Sequence, residues 1–135
     1  MSNLFKSSFL PVVLFAFYLT MASGCGPTLS DQRQIALDPN NVESIVLGAI
    51  GNDQTIKVTA KSTGAPIQVH IHLAGDEDEV DQAVTLRTSS DKIIASDVGK
   101  TEIVIKALIP ANKEAVVRLQ TTESSPANVE LLISN

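Results

Sequence analysis

From Val42 onward apolar and polar residues alternate with period two. "QTIKVTAK" places Ile56, Val58 and Ala60 on one face and Thr55, Lys57, Thr59 and Lys61 on the other. "PIQVHIHL" sets Ile67, Val69, Ile71 and Leu73 against Gln68, His70 and His72. "TEIVIKALI" sets Ile103, Ile105, Ala107 and Ile109 against Glu102, Val104, Lys106 and Leu108. Successive side chains of a strand point to opposite faces, so each run reads as a strand with one buried side. "KEAVVRLQT" and "ANVELLIS" repeat the pattern less cleanly, and the apolar run Leu131–Ile133 suits a strand covered on both sides or lying near an edge. Eight strands are predicted, starting near residues 43, 54, 66, 83, 91, 102, 114 and 127, with turn signals such as "STGAP", "TSSD", "PANK" and "ESSPAN" between them. No helical pattern of useful length competes. Short alternating strands at this spacing predict an all-β fold, a single antiparallel β-sandwich of jelly-roll or Ig-like type over residues 42–135.

The first 41 residues follow other rules. Lys6 is the only charged side chain before Asp31, and Phe9–Ala22 is almost wholly apolar. That run is shorter than the roughly 20 residues a membrane-spanning helix needs, and it contains Pro11. A positive start, a short apolar core and small residues at its end predict a secretory signal peptide, residues 1–24. The segment "ASGC" resembles a bacterial lipobox: Ala22, Ser23 and Gly24 are small, and the chain's one cysteine, Cys25, follows. Ala22 stands where such motifs usually carry leucine. The resemblance implies cleavage before Cys25, a lipid on its thiol, and attachment to a membrane of the cell envelope. Gly26 in place of an aspartate points by the same resemblance to the outer membrane. Residues 25–41 then form a lipidated cysteine and polar tether, with one helical turn around Asp31–Leu37 and a turn at "DPNN".

Composition narrows the function of the remainder. Every Phe, Tyr and Met of the chain lies at or before Met21, and there is no Trp. The core must therefore be built from Ile, Val, Leu and Ala. Sugar-binding surfaces and single-stranded nucleic-acid platforms lean on aromatic faces, and interface hot spots on Trp and Tyr. The 15 Asp and Glu against 10 Lys and Arg, one of them Lys6, repel a phosphate backbone and exclude nucleic acid as a partner. A single cysteine excludes an intramolecular disulfide, so the fold stands on its core alone.

The C-terminal part, "TEIVIKALIPANKEAVVRLQTTESSPANVELLIS", resembles the closing hairpin of prepeptidase C-terminal (PPC)-like β-sandwich domains: a turn, a strand of the form "xVRVxx", a polar loop and a final strand. Val116 and Val117 stand where those domains usually carry an aromatic. The resemblance implies a sandwich that binds or supports rather than catalyses.

Candidate chemistry is sparse. His70 and His72, at i and i+2 of one strand, share a face about 7 Å apart and could converge on one metal ion. The acidic stretch "GDEDEVD" follows, and Asp76 or Asp78 could complete a His, His, carboxylate set for zinc. The simpler expectation is a solvated strand face and a hydrated acidic loop. An EF-hand is excluded, because counting from Asp76 puts Asp81 where glycine is required and Arg87 where glutamate is required. A looser calcium site would use Asp76, Asp78 and Asp81. There is no GxSxG elbow, and "GAIGND" lacks the spacing of a phosphate loop. Lys57, Lys61 and Lys106 read as solvated lysines protecting sheet edges. The expected protein is a lipid-anchored envelope protein with a non-catalytic binding or structural β-sandwich. It would meet an envelope partner through a sheet edge or a flat aliphatic and acidic surface. The alternatives are a metal-binding protein using His70 and His72, or an enzyme domain of unrecognised type.

Overall fold

A computed structural model describes residues 29–135. The signal peptide and Cys25 lie outside the described residues. Eight strands and one helix follow in the order β1 (Ser30–Leu37), β2 (Glu43–Leu47), β3 (Gln54–Gly64), β4 (Ile67–Leu73), α1 (Glu77–Leu86), β5 (Ile93–Lys100), β6 (Glu102–Ile109), β7 (Ala115–Thr121) and β8 (Ala127–Ser134). They form two antiparallel four-stranded sheets, ordered β1-β8-β3-β6 and β2-β7-β4-β5. Apart from the β4–α1–β5 passage, consecutive strands alternate between the sheets. That order is a jelly roll, the double Greek key that joins two sheets into a sandwich.

Alternation explains the core. Ile56, Val58 and Ala60 of β3, Ile67, Val69 and Ile71 of β4, and Val129, Leu131 and Ile133 of β8 all point between the sheets and are buried. The second face of β3 carries Lys57, Thr59 and Lys61, which line up across β6 with Lys106, Val104 and Glu102. β3 is an inner strand, so Lys57 and Lys61 cover a sheet face; Lys106 alone lies on an edge strand. β8 is also inner, with Leu131 and Ile133 buried and Leu132 outward.

Two expectations are overturned. Residues 31–37 are neither tether nor helical turn. They form β1, which pairs with β8 from Ser30↔Ser134 to Leu37↔Ala127. The sandwich therefore takes in β1, ahead of residue 42. The strand expected near residue 83 and the hydrated loop expected at 76–81 are together α1. Glu77, Asp78 and Glu79 fill its first turn, where acids complement the helix dipole, and Val80, Ala83 and Val84 recur at helical spacing.

The edge strand β5 is irregular. Its pairing with β4 shifts register at Ile67/Gln68 and at Ile71/His72, and Gly99 at the first shift has φ +79°. Such bulges twist an edge away from further pairing.

Candidate functional site

On β4 both faces are covered. Inward lie Ile67, Val69 and Ile71; outward lie Gln68, His70 and His72. Across to β7 the outward positions pair as Gln68↔Gln120, His70↔Arg118 and His72↔Val116. Helix α1 lies over this face and buries Val80 and Ala83. Beneath it His70 is 5 % exposed, His72 2 % and Arg118 8 %, so the expected solvated histidine face is a closed one.

Arg118 organises what lies under the helix. Its Nη1 pairs with Asp81 Oδ1 of α1 at 2.6 Å. Its Nη2 donates to Gln120 Oε1 at 3.2 Å. Arg118 Nε and His70 Nδ1 are buried without a hydrogen-bond partner. Burial first, then the Arg118 guanidinium and His72, holds the His70 ring below its ordinary pKa. His72 Nδ1 lies 2.8 Å from the Leu73 carbonyl, which can only accept, so this nitrogen carries the proton. Glu77 Oε2 accepts from the Gly75 N–H at 2.8 Å, which lowers its pKa and fixes the turn entering α1.

Beside the helix the same sheet face opens into a cleft of about 900 Å³. Gln68, His70 and Gln120 form its floor, Ser96 and Val98 of β5 one side, and Thr121 and Thr122 its far end. The C-terminal turn of α1 and the segment Arg87–Ser90 complete the wall. Hydroxyl and amide groups dominate this lining. A volume of this size lies in the range that accommodates a small-molecule ligand. A smaller groove of about 270 Å³ lies between Leu29, Val46, Ile50 and Gln54.

The expected metal ligands do not assemble. His70 and His72 share a face as predicted, but what meets His70 across the strands is Arg118, a cation. Asp78 is an exposed residue in the first turn of α1, and Asp76 precedes the helix. Among the described residues no three His, Cys, Asp or Glu side chains gather into a metal-binding group. Asp81, proposed for calcium, is engaged by Arg118. The residues that sequence reasoning missed are Arg118, Gln120, Ser96 and Arg87. The one available signal was a polar pair, Arg118 and Gln120, at the outward parity of an otherwise apolar strand.

No family model matches the chain, and no curated protein matches it. Among solved structures it is similar to the Yersinia pseudotuberculosis-derived mitogen, at 7 % identity and TM-score 0.50, covering 80 % of this chain and 86 % of that one. It is also similar to the PliG protein of Aeromonas hydrophila, a periplasmic lysozyme inhibitor of g-type lysozyme, at 13 % identity and TM-score 0.51, covering 79 % and 86 %. A looser match, at 17 % identity and TM-score 0.39, is the carbohydrate-binding module CBM36 with calcium and xylotriose, covering 79 % and 88 %. At these identities the likeness is one of fold.

Proposed function

We propose that this chain is a lipid-anchored envelope protein whose jelly roll binds a ligand in the cleft beside α1 without transforming it. The observation that carries this reading is the cleft itself: a concave surface on the outer face of the second sheet, lined by hydroxyls and amides on strands and on a capped helix end. The histidines nearest to it are held under α1, with Arg118 between the sheet and Asp81. Buried groups so arranged fix the floor rather than attack a substrate.

The anchor is the second part of the proposal. Cys25 carries the lipid, and β1 starts at Ser30. Five residue steps reach at most about 18 Å. The domain is thus held against the membrane, where confinement raises the effective concentration of any envelope partner. Among the described residues no helix is long and apolar enough to cross a membrane. One acyl chain holds only marginally, whereas two or three on one cysteine hold durably.

Cys25→Ser is expected to move the protein from the membrane fraction to the soluble one or to leave it uncut. Unchanged membrane retention after signal removal contradicts the anchor. For the cleft, mild cross-linking of the anchored protein in its native envelope is expected to yield an adduct. Gln68→Ala with Gln120→Ala should reduce that adduct roughly tenfold while far-ultraviolet dichroism stays unchanged; Gln68 and Gln120 are half-buried polar residues whose loss removes hydrogen bonds to a ligand. An adduct that survives both changes contradicts a cleft-centred site.

A further inference from the structure

The chain carries 15 Asp and Glu, yet none lines the cleft. Among the described residues its one permanently charged lining residue is Arg87. Asp81 of α1, outside the lining, is bound to Arg118 at 2.6 Å. His70, on the floor, brings no negative charge in either protonation state.

Arg87 also occupies a costly backbone position. It ends α1 in the left-handed region, φ 53° and ψ 41°, where its N–H donates to the Val84 carbonyl and the following Thr88 N–H to the Ala83 carbonyl. Glycine is the usual residue there, because any Cβ is disfavoured at that φ. Strained residues of this kind collect at functional sites. The cap itself uses only the backbone N–H, so the fold does not call for an arginine side chain.

The floor has a defined polarity. Arg118 Nη2 donates to Gln120 Oε1, which fixes the orientation of the amide and leaves its two N–H donors for a ligand. Ser96 on the opposite side adds a hydroxyl that can donate. A cation at the rim, a fixed donor on the floor and no carboxylate in the lining complement an acceptor with negative charge.

We infer that the cleft takes an organic anion, a carboxylate carried on a hydroxyl- or amide-rich scaffold, with Arg87 as its charge partner and Gln120 as its hydrogen-bond donor. This inference rests on the cleft being the binding site. Arg87 is the specificity-determining residue: it selects acids over their neutral counterparts in a chain whose overall charge repels acids.

The test is calorimetry on the anchored protein in detergent. The probes are digalacturonate and N-acetyl-seryl-glutamate, each beside its methyl ester. The acid form of at least one probe should bind roughly tenfold more tightly than its ester, and its binding should weaken as salt rises from about 50 to about 300 mM. Whichever acid binds identifies the scaffold as saccharide or peptide. Arg87→Gln should lower that affinity roughly tenfold. Arg87→Gly should lower it equally while raising the melting temperature, since glycine fits the left-handed cap. Esters that bind as well as acids, or Arg87→Gly with full affinity, overturn the anion assignment and leave the cleft as a site for neutral ligands. Absence of binding by every acid and ester overturns the assignment together with the cleft reading.

Discussion

His70 sits where burial, the Arg118 guanidinium and His72 all oppose its protonation. The charged and titratable groups acting on it are Arg118 on β7 and His72 on β4, and Arg118 is paired in turn with Asp81 of α1. In the unfolded chain the ring regains the ordinary value of about 6.5. Above that pH both states are neutral at His70 and the residue adds nothing to pH dependence. As pH falls below it, the unfolded chain takes up a proton that the folded chain resists, so stability declines. The carboxylates whose pKa values are lowered, Asp31 by Arg33, Asp97 by Lys100 and Glu77 by the Gly75 N–H, lose their contribution only at still lower pH. The thermal midpoint is therefore expected to fall between about pH 6.5 and about pH 5, and His70→Gln to flatten that slope. A slope unchanged by His70→Gln contradicts the placement of a neutral ring beneath α1. Period-two spacing was enough to put His70 and His72 on one outward face. Nothing within residues 66–73 could show that a helix ten positions later covers that face and that Arg118 meets it from β7.

At the scale of elements, strands with a clean inward row were readable. β3, β4, β6 and β8 begin within one residue of where alternation put them. β1 was hidden because two of its inward positions hold Asp31 and Arg33, which pair with each other at 2.9 Å. Charges turned inward are tolerated on an edge strand and protect it from pairing with another chain. α1 was hidden because Val84 and Thr85 favour strands by composition, while the acidic first turn and the Val80, Ala83, Val84 spacing carried the helical signal. β1 is more than a cover. It satisfies one edge of β8 and contributes the buried Leu37 to the core. A chain beginning at residue 29 is expected to unfold cooperatively, whereas one beginning at residue 42 should lose cooperative melting or aggregate, since β8 becomes an open edge. Equal melting temperatures for the two contradict the assignment of β1 to the domain.

At the scale of the whole molecule, an aliphatic core and no disulfide suffice because eight strands close two sheets over one another. The outer face of the first sheet presents Val104, Leu108 and Leu132 among Lys57, Lys61 and Lys106, with Glu102 and Glu130 both opposite Lys61, an aliphatic surface whose charges are of both signs. The second sheet differs: α1 covers part of its outer face, and the cleft opens beside the helix. The fold class was legible because it follows from alternation and turn spacing. The cleft was not, because it is made by residues from β4, β5, β7 and the end of α1 that only the jelly-roll order brings together. That the cleft, and not the opposite face, meets the ligand can be measured by installing a photoreactive side chain in place of the exposed Ser96 and, separately, of the exposed Val104. Irradiation of the full chain in its native envelope, followed by intact mass analysis, should give a discrete adduct from position 96 and none from position 104. An adduct from position 104 with none from position 96 would contradict the account.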